Sequence, residues 1–286
     1  MKSTILLSAA MLIPNFVIAQ TPEFQISTAG YRSLRMAIYA LCEKTGWHIA
    51  YEEPVWPPKI SGGPDARPTI DGIQVEPPQA DRVQISIPTL RGSDGQVGGV
   101  AALLQAFNSQ NSTVSYKMET LGDVTVLEAD TMLDSTGIRV PAPLLLSKLI
   151  QVPTAQRTPL EHLEALAEAL QEQTGVPVKL DIGLGTWNSG FTGKNGPDAQ
   201  QQDNLLNWGT QQQVARLALL DLLGRSKTTF TYQFACQVGI NSPGECTLSL
   251  RPLTVEVVGR SGAVKKKTLY FDRGRPDMEL PPDPPQ

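Results

Sequence analysis

The pattern EKTGWHIAYE at residues 43–52 returns as EQTGVPVKLD at residues 172–181, and the blocks around it return in the same order. Ahead of the first stretch, Leu34, Ile38 and Leu41 are spaced as one helix face, and Gly46 stops the helix. Trp47, Ile49 and Tyr51 then alternate with His48 and Ala50, the period of a strand with one buried face. Ahead of the second stretch, Thr158, Pro159 and Glu161 form a cap, a first-turn proline and a capping-box acid, and Leu163, Leu166, Ala167 and Leu170 line one face. Gly175 stops this helix as Gly46 stops the other. Chance similarity at one block is easy, whereas a shared order of blocks implies a repeated unit.

The rest of each unit follows. In the first, RVQISIP predicts a strand, VGGVAALLQAF a helix, and STVSYKME with DVTVLEA a hairpin around Leu121-Gly122; FQIS adds an opening strand. In the second, VPVKLDI, QQQVARLALLDLLGRS, TTFTYQF and CTLSLRPL read as strand, helix and a two-stranded hairpin. The expected fold is α+β, with two tandem small αβ domains, each a short sheet with two helices packed on one face. Residues 22–130 make the first domain, with a Pro- and Gly-rich insertion at 54–80, and residues 154–258 the second, with an insertion at 183–210. A linker at 131–153 carries Pro141, Pro143 and Pro153 against a long helix, and PAPLLLSKLI reads as a short docking helix. In residues 259–286, TLYFDR pairs back onto TVEVVG as a C-terminal hairpin, and PPDPPQ reads as a disordered tail.

Both halves resemble the short N-terminal domain shared by secretins and TonB-dependent signal transducers. The residues that carry the likeness are SLRMAIYALCEKTGWHIAY with GGVAALLQAFNSQNSTVSYKMETLGDVTVLEA, and PLEHLEALAEALQEQTGVPVKLD with VARLALLDLLGRSKTTFTYQF. The resemblance implies a periplasmic interaction module without catalysis. This chain departs from that pattern by its long insertions and by having no pore or barrel part after the repeats.

The opening MKSTILLSAAMLIPNFVIAQ places Lys2 before an apolar run that ends in Val17-Ile18-Ala19, the small-residue pattern a signal peptidase reads, so residues 1–19 are expected to be a signal peptide. Pro14 and Asn15 leave the run short of the ~20 apolar residues a span needs. Export to the periplasm or the medium permits disulfides. Cys236 and Cys246 sit on two strand-like runs joined by a turn and are expected to pair, leaving Cys42 as a buried thiol on the apolar stripe of its helix. A net charge of -4 gives no electrostatic basis for general nucleic-acid binding.

The chemistry-bearing residues are sparse. His48 and His162 stand in different contexts, and neither has a Cys, Asp or Glu near it at metal-ligand spacing. GLGTWNSGFTG follows a strand but lacks the helix start and Lys of a phosphate loop. Glu52 and Asp181 end equivalent strands and read as solvated strand ends. Trp56 in the first insertion, and Trp187, Phe191 and Trp208 in the second, are the candidate binding residues, since aromatics in polar loops give rigid contact area at low entropy cost; the bland alternative is that they fold back as local mini-cores. The expectation is a non-enzymatic protein-interaction or assembly module of the bacterial cell envelope, with no cofactor, no metal and an envelope or secreted protein as partner. The alternative is an exported hydrolase with its carboxylates, Glu52, Glu53 or Asp181, at the domain interface.

Overall fold

The structure is a computed structural model that describes residues 23–28, 33–55, 83–88, 93–110, 113–134, 137–182, 205–237, 244–258 and 264–268. The first repeat runs β1 (Glu23–Thr28), α1 (Ser33–Thr45), β2 (Ile49–Glu52), β3 (Val83–Pro88), α2 (Ser93–Gln110), β4 (Val114–Leu121) and β5 (Val124–Leu133). After β6 (Arg139–Pro141), the second runs β7 (Leu149–Arg157), α3 (Pro159–Thr174), β8 (Val178–Ile182), β9 (Leu206–Val214), α4 (Ala215–Leu223), β10 (Phe230–Cys236) and β11 (Cys246–Pro252). A final hairpin pairs β12 (Thr254–Val258) with β13 (Val264–Thr268), so the strand that returns onto β12 is VKKKT and not the expected TLYFDR, whose residues 269–273 lie outside the described residues. The chain is α+β, as its periodicities predict.

The repeat holds at the level of single atoms. Thr45 Oγ1 donates to the Leu41 carbonyl at 2.6 Å and accepts from Trp47 N at 3.1 Å; Thr174 Oγ1 donates to the Leu170 carbonyl at 2.6 Å and accepts from Val176 N at 3.3 Å. Gly46 and Gly175 take φ values of 72° and 70°, the left-handed conformation that lets each helix end and turn into its strand. The capping box of α3 is present, with Thr158 N donating to Glu161 Oε2 at 2.7 Å.

The expected pair of separate sheets is corrected. One seven-stranded sheet runs through both repeats in the order β4-β5-β2-β10-β11-β8, with β6 added beside β5. The order β4-β5-β2 of the first repeat recurs as β10-β11-β8 in the second, and β2 pairs with β10 in parallel, Tyr51 beside Gln233 and Glu52 beside Phe234. Side chains alternate between the faces of a strand, so this register sets Ile49 and Tyr51 on one face and Ala50 and Glu52 on the other. The first face packs on α1 and α2 through Leu34, Ile38, Leu103 and Phe107. The second packs on α3 and α4 through Leu163, Leu166, Leu219 and Leu222, which also cover Tyr232, Phe234, Leu248 and Leu250. The two helix pairs therefore lie on opposite faces of a shared sheet. An amphipathic unit reads the same whether its neighbour is another molecule or the next repeat, which is why sequence periodicity does not distinguish two sheets from one.

The linker is corrected as well. Pro141 and Pro153 lie within strands β6 and β7, at positions where the ladder leaves room for a residue without an N–H. PAPLLLSKLI is not a helix: Leu144, Leu145 and Leu146 are buried in a turn, and Ile150 and Val152 on β7 enter the core. β7 is the opening strand of the second repeat and pairs with β9, as β1 pairs with β3. The polar run Gln211–Gln213 belongs to β9, and the helix begins only at Ala215. Gly209 on β9 lies so close to β7 that a Cβ there would come within 2.5 Å of the Thr154 backbone.

Candidate functional site

Where the repeats meet, two carboxylates would face each other unshielded. Glu52 of β2 is beside Glu128 of the parallel strand β5, on the same face, and a directly opposed like-charged pair is destabilising. Arg216, the second residue of α4, fills the space above them. Its Nε donates to Glu52 Oε1 at 2.7 Å, Nη2 donates to Glu52 Oε2 at 2.6 Å and also to Glu128, and Nη1 donates to Glu119 Oε2 on β4 at 2.9 Å. Tyr232 of β10 donates its hydroxyl to Glu52 Oε1 at 2.6 Å, and Lys117 Nζ stands 3.3 Å from the other oxygen of Glu128. Glu52 has 1% of its side chain exposed and Arg216 7%, so these are interior groups.

The electrostatics follow from that burial. Loss of water pushes the Glu52 carboxyl up from its ordinary value, while the Arg216 fork and the Tyr232 hydroxyl oppose the change. Burial works against the Arg216 cation, but its bonds and attraction to Glu52 outweigh it and hold the guanidinium protonated. Burial, with Glu52 alongside, raises the Tyr232 phenol well above its usual range. Bidentate pairing with a further hydrogen bond, here from Tyr232 to Glu52, is the geometry in which a buried ion pair is tolerated.

The main chain reinforces this joint. Glu53 N donates to the Phe234 carbonyl at 2.8 Å, Glu53 Oε2 accepts from Cys236 N at 3.1 Å, and His48 Nε2 lies 2.8 Å from the Phe230 carbonyl. Arg216 itself is positioned by the segment after β6: Ala215 N donates to the Lys148 carbonyl at 2.8 Å and Arg216 N to the Leu146 carbonyl at 2.9 Å, which satisfies the start of α4 without a side-chain cap.

The sequence-predicted site residues do not converge. Trp56, Trp187 and Phe191 lie outside the described residues. Trp208 is not a loop anchor but a core residue, 3% exposed on β9, with Nε1 donating to Asp221 Oδ2 at 2.7 Å and its ring edge-on to His162. Neither is Glu52 a solvated strand end. Glu52 and Asp181 lie on opposite faces, with β10 and β11 between their strands, a lateral separation of about 14 Å at ~4.8 Å per strand. Paired catalytic carboxylates in glycoside hydrolysis stand about 5–9.5 Å apart across one cleft, so this pair cannot act together on a bond. Asp181 instead accepts from Ser249 Oγ at 3.2 Å.

Cys236 and Cys246, directly opposed on β10 and β11, form a disulfide, and Cys42 is a buried thiol whose pKa burial raises to about 12. A groove of about 210 Å³ opens between α1 and the β10-β11 hairpin, lined by Tyr39, Cys42, Glu43, Gln233 and Arg251 among others. That is below the roughly 300–1,000 Å³ of ligand pockets. No helix among the described residues is long and apolar enough to cross a membrane. Sequence reasoning missed Arg216; its signal was a charge on the apolar stripe of VARLALLDLL, three residues before Leu219. Comparison with protein-family models, with curated proteins and with solved structures gives no match for this chain.

Proposed function

We propose that this protein is an exported, non-enzymatic interaction or assembly module of the bacterial cell envelope. The observation that carries the reading is the joint between β2 and β10. Each repeat is a small sheet with an edge that accepts a strand of another such unit through main-chain hydrogen bonds, the mode by which edge strands recognise partners. The resemblance of both repeats to the short N-terminal domain of secretins and TonB-dependent transducers supports the same role. The Cys236–Cys246 disulfide and the apolar run at residues 5–13 support export. The hydrolase alternative loses its best carboxylate, because Glu52 is engaged by Arg216 and Tyr232.

The test is affinity capture from native envelope with the mature chain and with Trp187→Ala, alongside assays for hydrolysis of envelope polymers. Recovery of a defined protein, reduced in the variant at unchanged melting temperature, supports the reading. Hydrolysis that vanishes in Asp181→Asn overturns it.

A further inference from the structure

The joint inside the chain is head to tail: β2, the last strand of the first repeat's order, meets β10, the first strand of the second's. Such a contact does not use up its own surfaces. It leaves the β10-like edge of the first repeat, β4, at one end of the sheet, and the β2-like edge of the second, β8, at the other; among the described residues neither has a second strand beside it. We propose that a second copy of this chain adds its β4 to β8 in parallel, repeating between molecules the joint that β10 and β2 make within one. This rests on the reading of the chain as an assembly module and names its partner.

The register follows from the repeat. Tyr116 corresponds to Tyr232, so Lys117 and Met118 stand where Gln233 and Phe234 do, and Leu180 and Asp181 stand where Tyr51 and Glu52 do. The expected pairs are Leu180 with Lys117, and Asp181 with Met118. The backbone presents the groups this requires. Cys246 N donates to the Pro177 carbonyl, so Pro177 and Lys179 point to β11 and Leu180 and Ile182 point outward. On β4, Tyr116 N and O are engaged by the Asn108 side-chain amide at 2.9 and 2.8 Å, which identifies the outward-pointing residues as Tyr116 and, two further on, Met118.

Asn108 takes the Tyr116 N–H, whose counterpart on Tyr232 the internal joint does not use, and one of the two lone pairs of the Tyr116 carbonyl, leaving the other for Leu180 N. The β2-β10 ladder begins at Gln233, and its bond from Glu53 N goes to Phe234 O, the counterpart of Met118. Val178, Leu180 and Ile182 are half-buried apolar side chains that the added strand would cover further. The outer joint lacks the lock of the inner one, with Asp181 at the place of Glu52 and Val100 at the place of Arg216. It is therefore the weaker of the two, and association depends on concentration.

The experiment mixes Met118→Cys and Asp181→Cys forms of the full mature chain with a short bismaleimide, beside each variant alone. The expected result is about tenfold more cross-linked dimer in the mixture than in either variant alone, the ratio that a 1.4 kcal/mol preference for this register gives, with the link mapped to 118 and 181. Sedimentation of the wild type should shift with concentration, and Met118→Pro, which deletes the outward N–H, should remain monomeric with an unchanged far-ultraviolet spectrum. Equal cross-linking in all three samples, or a wild type monomeric at every concentration, overturns the proposal. If that monomer still recovers an envelope protein through Trp187, the module reading stands and only self-pairing falls. If the cross-link forms and no envelope protein is recovered, self-pairing stands alone.

Discussion

Arg216 holds Glu52 through two hydrogen bonds of 2.7 and 2.6 Å, across 164 residues of chain and between two copies of the same unit. The contact converts a like-charged pair, Glu52 and Glu128, into the inner seam of a continuous sheet. Arg216 has no charged counterpart in the other repeat, where Val100 stands in its place, and Glu52 is matched by the shorter Asp181. The asymmetry distinguishes the joint that is made within the chain from the edges that are left.

Replacing Arg216 by Met should therefore be severe. It strands two buried carboxylates, and breaking a buried pair from one side costs about 3–5 kcal/mol. Adding Glu52→Gln to Arg216→Met should recover part of that loss, since one of the orphaned charges is gone. Urea unfolding of the two singles and the double checks this; additive losses would show that the residues do not interact.

Trp208→Ala should lower stability by about 3–5 kcal/mol, the range for deleting a buried aromatic. Trp208→Phe should fall between, because it keeps the ring and loses the bond to Asp221. Thermal unfolding by circular dichroism reads both. A wild-type melting temperature in Trp208→Ala would contradict the core assignment.

Of the three cysteines, only Cys42 should react with an alkylating agent, and only after unfolding, since its thiol is buried and its pKa is raised to about 12. Closing the short loop between Cys236 and Cys246 should contribute roughly 2–3 kcal/mol. Mass spectrometry of the unreduced, denatured protein is decisive: one label is expected, and two or more would contradict the pairing.

His162 gives the protein an acid-side weakness. Burial lowers its pKa below the ordinary 6.5; Nε2 donates to the Leu206 carbonyl at 2.8 Å, and Nδ1 has no hydrogen-bond partner among the described residues. The unfolded chain takes up the proton first, so the contribution is level above pH 6.5 and stability falls as pH drops below it, by at most about 1.4 kcal/mol per unit. Stability curves between pH 8 and 5 should flatten in His162→Gln, and an identical slope in that variant would assign the effect elsewhere.

Much of this architecture is legible in the sequence because it is local. The Gly46 and Gly175 stops, the Thr158 capping box and the pairing of Cys236 with Cys246 are each written within a short stretch of sequence. The joint is not local. β2 has only four residues, and Glu52 and Glu53 at its end read as a strand entering water until Arg216, Tyr232 and Cys236 are brought to them by the second repeat. β7 and β9 were obscured for a different reason. A proline in one and a run of glutamines in the other carry weak strand propensity, which cross-strand pairing and the burial of Ile150, Val152 and Trp208 override.

Scanning calorimetry of the intact protein beside Arg216→Met tests most directly whether the two copies form one structure. A continuous sheet with a buried ion cluster at its seam should melt in a single transition whose calorimetric and van't Hoff enthalpies agree, and the variant should shift that whole transition downward. Two separate transitions in the wild type, of which Arg216→Met moves only one, would contradict it.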